Sequence, residues 1–283
     1  METKKLLAVI GYPVSHSRSP LMHTTALRAL GLDIPYIAVE VKPADLHSEI
    51  GRLLEQGCIG FNVTIPHKQA VIPLLQSMDE EAKAIGAVNT VLVRDDALHG
   101  YNTDVYGFRT SLEVHRERIR NENVLLLGAG GVARAGVYSL INDFQPSRIT
   151  IAARNVASAR QLADSFSKHA QISICSFDDA TRNNTIADSA LIINATSVGM
   201  EPNDDKSPLP ASAPFHSGQI VFDLIYTPLQ TTLLKFAAAK GAITINGLEM
   251  LVQQGARSFE MFTGKQMPVD TVRKAVVKSF AEE

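Results

Sequence analysis

Cysteine is scarce: Cys58 and Cys175 are the only two in 283 residues. Thiols so far apart build neither a dense disulfide framework nor, by themselves, a zinc site, and they read as free thiols of a reducing compartment. Long apolar runs are missing as well. No stretch approaches the ~18 uninterrupted apolar residues of a membrane helix. Lys4-Lys5 followed by Leu6–Ile10 has the look of a secretory leader, but Gly11-Tyr12-Pro13 cuts the run short and no small-residue cleavage site follows. A first buried strand and a cytoplasmic location are the expectation. Charge of one sign is not concentrated either. The formal net charge is −2 and no long Lys/Arg run occurs, which argues against nucleic acid as a main partner. No internal repeat and no low-complexity tract is present, so a solenoid is excluded.

What is there is ordinary for a globular protein: 45% apolar and 20% charged residues, with a length that suits two domains. Leu6–Ile10 predicts a buried strand. Ser19 as N-cap and Pro20 open a helix whose face carries Met22, Ala26, Leu27 and Leu30, ended by Gly31. Tyr36–Val41 predicts a strand, Pro43–Gln56 a helix with Leu46, Ile50, Leu53 and Leu54 inward and Gly57 as its stop, and Ile59–Ile65 a third strand. Thr90–Val93 and Leu98–Tyr101 predict a strand and its return around Asp95-Asp96. The pattern then restarts with a helix at about Val105–Val114, the polar stretch Arg116–Asn123, the strand Val124–Leu127 and a helix from about Val132. Strand Ile149–Ala152, helix Val156–Ser167 and strands Ala190–Ile193 and Ile220–Leu224 follow. Helices Leu229–Lys240 and Leu248–Phe262 and a last one from about Pro268 complete the series, with Glu201–Pro214 a surface loop. Such alternation argues for parallel sheet in an α/β fold.

Gly128-x-Gly130-x-x-Ala133 follows the strand Val124–Leu127 and opens a helix, the setting a dinucleotide fingerprint requires. Gly128 permits the tight turn and Gly130 lets backbone approach a pyrophosphate, which the helix N-terminus attracts. A structural tight turn is the plain alternative; the strand before, the helix after and a second strand on schedule favour the dinucleotide. NAD sites place an acid about 20 residues on, for the ribose 2′-OH. Here that region reads Ile151-Ala152-Ala153-Arg154-Asn155, with no acid before Asp164. Arg154 would attract a 2′-phosphate with charge-assisted bonds of about 1.5–3 kcal/mol, a preference for NADP of roughly 10- to 150-fold. A solvated arginine at a helix start is the alternative.

Three polar clusters precede this region. In Ser15-His16-Ser17, read as extended, residues two apart face one way, so two hydroxyls point at one spot and suit a small carboxylate or polyol; serine is also common in any loop. In Asn62-Val63-Thr64-Ile65-Pro66-His67-Lys68, Asn62 and Thr64 alternate on an otherwise apolar strand that Pro66 ends. Lys68 then sits at a helix start, where the macrodipole disfavours a cation, so a compensating carboxylate or a function is expected. The third cluster is Ala87-Val88-Asn89-Thr90 with Tyr101-Asn102-Thr103-Asp104-Val105. Asp104 falls at the border of the two halves, where clefts form. A Lys68–Asp104 pair across such a cleft could handle the proton that accompanies hydride transfer, although a surface lysine and an N-cap aspartate explain the residues singly.

In this order the clusters resemble the shikimate dehydrogenase family (shikimate/quinate dehydrogenases) over nearly the whole chain. The resemblance is carried by Gly11 to His23, Asn62 to Lys68, Gly86 to Thr90, Tyr101 to Asp104, Gly128 to Ala133, Asn194 to Met200, Asp223 to Pro228 and Gly247 to Gln254. It implies two α/β domains: an N-terminal mixed or parallel substrate domain, residues 1–103 completed by C-terminal helices at 247–283, and a Rossmann-type doubly wound NADP-binding domain at 104–246. It implies that Ser15 and Ser17 bind the substrate carboxylate, that Asn62, Thr64, Asn89, Asp104, Tyr226 and Gln254 surround the ring and its hydroxyls, and that Lys68 contacts substrate and pairs catalytically with Asp104. NADP would be held by Gly128, Ala129, Gly130, Gly131, Val132 and Ala133, by Ala153, Arg154 and Asn155, by Thr196, Ser197 and Met200, and by Leu224 and Gly247. The implied reaction is the reversible, metal-free reduction of 3-dehydroshikimate to shikimate in chorismate biosynthesis, with Lys68 as proton donor and His67 as the competing acid. A homodimer is compatible with it.

Three departures from the family pattern stand out. Thr24 replaces an asparagine, Thr232 replaces a proline, and Ala153-Arg154-Asn155 replaces Asn-Arg-Thr. The first two touch packing; the third keeps the arginine and loses flanking donors. Two rival readings remain: a quinate/shikimate dehydrogenase with broader substrate choice and NAD use, against which Arg154 speaks, and a non-catalytic NADP-sensing protein on the same fold, which would have no use for Lys68 and Asp104.

Overall fold

Two six-stranded sheets organise the chain, whose computed structural model describes residues 5–182 and 184–282. One compact unit runs to Gly107 and resumes at Val252; the other spans Phe108–Leu251. No helix among the described residues is long and apolar enough to cross a membrane.

In chain order the first unit holds β1 (Leu6–Gly11), α1 (Ser19–Ala29), β2 (Tyr36–Glu40), α2 (Leu46–Glu55), β3 (Cys58–Val63), α3 (His67–Ala70), β4 (Ser77–Met78), α4 (Glu80–Ile85), β5 (Thr90–Arg94) and β6 (Ala97–Tyr101), and α5 (Asp104–Leu112) begins in it. Its sheet runs β2-β1-β3-β5-β6-β4. β1 is wholly buried and pairs parallel with β2 and β3, while β5 lies antiparallel to β3 and β6. The β5–β6 return turns on Asp95 and Asp96, both left-handed (φ 51° and 59°), a conformation aspartate tolerates in tight hairpins. Several expectations shift. Arg18, not Ser19, is the N-cap of α1, and Leu30 is only half-buried at its end. Pro43–Asp45 forms a 3₁₀ turn ahead of α2. β3 stops at Val63, although the N–H of Thr64 still donates to Ile10 O at 2.9 Å.

The second unit continues with α6 (Arg116–Ile119), β7 (Asn123–Leu127), α7 (Gly131–Ser139), β8 (Arg148–Ala152), α8 (Val156–Phe166), β9 (Ile172–Cys175), α9 (Phe177–Arg182), β10 (Leu191–Asn194), β11 (Ile220–Asp223), α10 (Thr232–Ala239) and β12 (Ile243–Ile245). Here α11 (Leu248–Thr263) begins, and α12 (Val269–Ala281) belongs to the first unit. The sheet is entirely parallel in the order β12-β11-β10-β7-β8-β9. With β7 as first strand, this is the Rossmann order, whose switch point lies between β7 and β10. Alternate residues supply cores on both faces. Leu126, Ile151, Ile193 and Phe222 pack on one side, and Leu125, Leu127, Ala152, Ile192 and Val221 on the other. The 201–214 segment is irregular, as expected, but Leu209 and Ala213 are each 1% exposed and anchor it in the core.

Candidate active site

The carboxylate expected for Lys68 is Asp104. Lysine Nζ lies 2.6 Å from Oδ2, and the two side chains are 16% and 8% exposed. Lys68 is the second residue of α3, and Asp104 is the first of α5, where a helix dipole favours an anion. Both lie in the first unit. The other oxygen, Oδ1, accepts from Asn89 Nδ2 at 2.8 Å, and the Asp104 N–H donates to Asn102 Oδ1 at 3.1 Å.

Asn89 is bound on its acceptor side too. Its Oδ1 receives the Thr103 N–H at 2.8 Å and the Thr90 hydroxyl at 3.0 Å. Asn62, inside β3, donates from Nδ2 to Thr90 Oγ1 at 3.1 Å and to the Asn89 carbonyl at 3.3 Å, while its Oδ1 accepts from the Tyr36 hydroxyl at 2.7 Å. All are buried, though Asn62 and Asp104 keep 6% and 5% exposure, and the mutual hydrogen bonds fix one another's orientation. Thr90 and Thr103 lay in the third cluster of the sequence reading without a role of their own; Tyr36, on β2, was not singled out, because no spacing ties it to that cluster.

Other expected substrate residues fare differently. Ser15-His16-Ser17 is not extended: the Ser17 N–H donates to Val14 O at 3.0 Å, closing a turn, and the Ser17 hydroxyl accepts the Ser19 N–H at 3.3 Å. The premise that two-residue spacing aligns the hydroxyls therefore fails, because β1 ends at Gly11 and the chain must curl into α1. Thr64 is half-buried just past β3, and Gln254 half-buried on α11 in the same unit; Tyr226, also half-buried, belongs to the second. His67 is fully buried with Nε2 2.7 Å from Val41 O, which holds its ring in the core as a clamp on the start of α3.

In the second unit, Gly128 has φ +106°, and a Cβ there would stand 2.9 Å from Ala195 O and 3.0 Å from Thr196 Cγ2. Glycine is required on both counts. Gly130 is the N-cap of α7, with no side-chain cap, and a Cβ on it would meet nothing within 4 Å, so the backbone there faces open space. Gly131 and Val132 open the helix and are half-buried, Ala129 is half-buried before it, and Ala133 is buried. Ala153 is buried beyond β8, whereas Arg154 is exposed and has no hydrogen-bond or ion-pair partner among the described residues. Asn155 is the N-cap of α8: its Oδ1 accepts the N–H groups of Ala157 and Ser158 at 3.0 and 3.2 Å. Ser197 and Met200 are exposed and Leu224 is half-buried. A Cβ on Gly247 would lie 2.6 Å from Leu224 C, so two backbones touch there.

Asp223 was not among the expected site residues. Fully buried at the end of β11, it accepts from Asn194 Nδ2 at 3.0 Å, Ile225 N–H at 3.1 Å and Thr231 Oγ1 at 2.6 Å. Asn194 in turn accepts the Thr196 N–H and hydroxyl at 3.1 and 2.7 Å. Desolvation pushes the Asp223 carboxyl up to about 6, against its three donors. One side chain thus knots together the loops that follow β10 and β11. A lone acid closing the apolar run Ile220–Phe222 was the available signal. Thr232, beside this knot, does more than pack: its hydroxyl donates to Asp204 O at 2.9 Å and ties down the 201–214 segment.

A parallel sheet in Rossmann order with a glycine turn after its first strand, and a second α/β unit bearing a partly buried Lys–Asp pair, define a dinucleotide-dependent oxidoreductase. Comparison with known proteins narrows the class. Residues 9–91 match the shikimate dehydrogenase substrate binding domain, 111–214 the shikimate/quinate 5-dehydrogenase family and 247–277 the shikimate 5′-dehydrogenase C-terminal domain. The shikimate dehydrogenase (NADP(+)) of Salinibacter ruber is 40% identical over 97% of both chains. A crystal structure of shikimate dehydrogenase in complex with NADP+ superposes with a TM-score of 0.89 at 38% identity, covering 98% of this chain and 96% of the other. The Thermus thermophilus enzyme in complex with NADP(H) and shikimate gives 0.84 at 34% identity over 97% and 99%. The chain belongs to the shikimate dehydrogenase family.

Proposed function

We propose that this protein catalyses the NADP-dependent, reversible reduction of 3-dehydroshikimate to shikimate, a step toward chorismate; its relatives are named shikimate dehydrogenase (NADP(+)). The observation that carries the proposal is the Lys68–Asp104 pair, 2.6 Å apart and nearly closed to solvent. A sensor has no use for such a pair. Substrate is assigned to the first unit and NADP to the second.

The residues of the second unit fit the cofactor. Gly128 makes the tight turn, Gly130 leaves backbone exposed at the start of α7, and Arg154 is a cation with no competing partner among the described residues. Ala129, Gly131, Val132 and Ala133 complete the pyrophosphate loop. Ala153 and Asn155 flank Arg154 at the adenosine phosphate, and Thr196, Ser197, Met200, Leu224 and Gly247 serve the nicotinamide end. Asn155 Oδ1 caps α8 and its Nδ2 remains a neutral donor, so the charged Arg154 guanidinium beside it carries most of the 2′-phosphate recognition.

When bound, NADPH supplies the hydride. The chain's own residues handle the proton and the orientation. Lys68 donates a hydrogen bond and then its proton to the ketone oxygen as negative charge develops there. Asp104 holds the ammonium in place through Oδ2 and accepts a substrate hydroxyl. Asn62, Asn89 and Thr64 present hydrogen-bonding groups to the ring, Ser15 and Ser17 take its carboxylate, and Gln254 completes the surround within the first unit; Tyr226 is the substrate residue that the second unit supplies. His67 is excluded as the acid because its ring is committed to Val41 inside the core. The free thiols Cys58 and Cys175 suit a reducing cytoplasm. The test is direct: the purified chain with shikimate and NADP is followed by NADPH absorbance, with quinate and NAD as controls. No turnover of shikimate, or faster turnover of quinate with NAD, overturns the proposal.

A further inference from the structure

We propose that Tyr36 is a positioning residue for the catalytic pair, acting on Asp104 through the side-chain amide of Asn62. The inference rests on the function proposed above and adds a residue that makes no contact with the pair itself.

The argument is one of direction. Tyr36 OH donates to Asn62 Oδ1, Asn62 Nδ2 donates to Thr90 Oγ1, Thr90 Oγ1 donates to Asn89 Oδ1, and Asn89 Nδ2 donates to Asp104 Oδ1. Every donor faces the same way, so the chain delivers the positive end of its last dipole to the carboxylate that Lys68 holds from the other side at 2.6 Å. Amides are the weak points of such a chain, since each can turn over. Turning Asn89 would set its oxygen against the Asp104 carboxylate. Turning Asn62 would set its oxygen against the Asn89 carbonyl, now 3.3 Å from Nδ2, and only the Tyr36 hydroxyl rewards the present orientation from the far side. Without that hydroxyl Asn62 is freer to turn over, and the Thr90 hydroxyl then donates to Asn62 Oδ1 and leaves Asn89 Oδ1 to its Thr103 donors alone.

Tyr36 is itself held rigidly. Its ring stacks on His23 at 4.2 Å with planes 7° apart, and Phe259 and Phe262 flank the imidazole at 5.9 Å. Burial lowers the His23 pKa to about 3, so the stack stays uncharged and does not compete electrostatically with the chain. Replacing Tyr36 by Phe keeps the stack and removes only the hydroxyl.

The test is a double-variant cycle on kcat/KM for shikimate with NADP, normalised to the folded fraction by circular dichroism. Tyr36→Phe lowers kcat/KM about 3- to 10-fold, the equivalent of one buried neutral hydrogen bond. Asn62→Ala lowers it further, and the Tyr36→Phe, Asn62→Ala double variant equals Asn62→Ala, because the hydroxyl then has nothing left to orient. If Asn62→Ala does not fold, Thr90→Val, the next link, takes its place with the same expectation. A Tyr36→Phe rate per folded molecule equal to wild type, or losses that multiply in the double variant, overturns the positioning role while leaving the function standing. A wild-type chain inert toward shikimate overturns both.

Discussion

Replacing Asp223 by Asn should remove a specific pH dependence of stability from the second unit. The carboxyl is fully buried and its pKa is raised from 3.8 to about 6 by desolvation. Between those values the native protein keeps a proton that the unfolded chain has already lost. Stability therefore falls as pH rises through this window and levels off above about pH 6. At about 1.4 kcal/mol per unit, a shift near two units corresponds to a loss of ~3 kcal/mol. In the variant the amide oxygen keeps the Asn194 and Ile225 donors, and the amide nitrogen faces Thr231 Oγ1, whose hydroxyl can rotate to accept. The group is neutral throughout, so the slope disappears. Urea titrations by circular dichroism at steps from about pH 4 to pH 7 should show the variant gaining ~3 kcal/mol on wild type across the range. Parallel stability curves would refute the reasoning, because they would mean that Asp223 titrates alike in the folded and unfolded chains.

The remaining predictions concern the reaction. Lys68→Ala should lower kcat by roughly 10²–10⁴ with KM little changed, since the proton is delivered in the transition state; near-wild-type turnover removes Lys68 from the chemistry. Asp104→Asn should impair kcat and KM together, because the carboxylate both steadies Lys68 and accepts a substrate hydroxyl; a pure KM effect would leave it only the second task. Arg154→Ala should weaken NADP binding by roughly 10- to 150-fold and leave NAD untouched, as read by titration of each dinucleotide. Equal losses for both would place the arginine away from the 2′-phosphate.

The strands of the interior were legible because burial on both faces demands uninterrupted apolar residues, as in Leu6–Ile10 and Val124–Leu127. The edges were not. β9 (Ile172–Cys175) is half-buried at every position, β12 (Ile243–Ile245) exposes its middle residue, and β4 has two residues, so none carries a pattern that distinguishes strand from loop. Of the site, Lys68 and Asp104 were readable from charge logic: a cation at a helix start requires an anion nearby. The Ser15–Ser17 geometry was misread because a turn bond from Ser17 to Val14 leaves no trace in composition. The network behind Asp104 was hidden for a different reason. Tyr36 on β2, Asn62 on β3, Thr90 on β5 and Thr103 just after β6 converge only once the sheet has formed in the order β2-β1-β3-β5-β6.

That convergence also bears on why the pair exists. An ion pair closed to solvent is weak support for folding, since removing two charges from water offsets most of their attraction. Lys68 and Asp104, 16% and 8% exposed, stand close to that condition, and apolar side chains of similar size would serve packing as well. The chain instead surrounds Asp104 with Asn89, Asn102 and Thr103, and Asn89 in turn with Thr90 and Asn62, all of them buried polar groups that an apolar core would not need. Stability does not account for so many satisfied dipoles in one place. Holding one carboxylate oriented and within reach of one ammonium does, and that is the requirement of the proton transfer proposed above rather than of a fold.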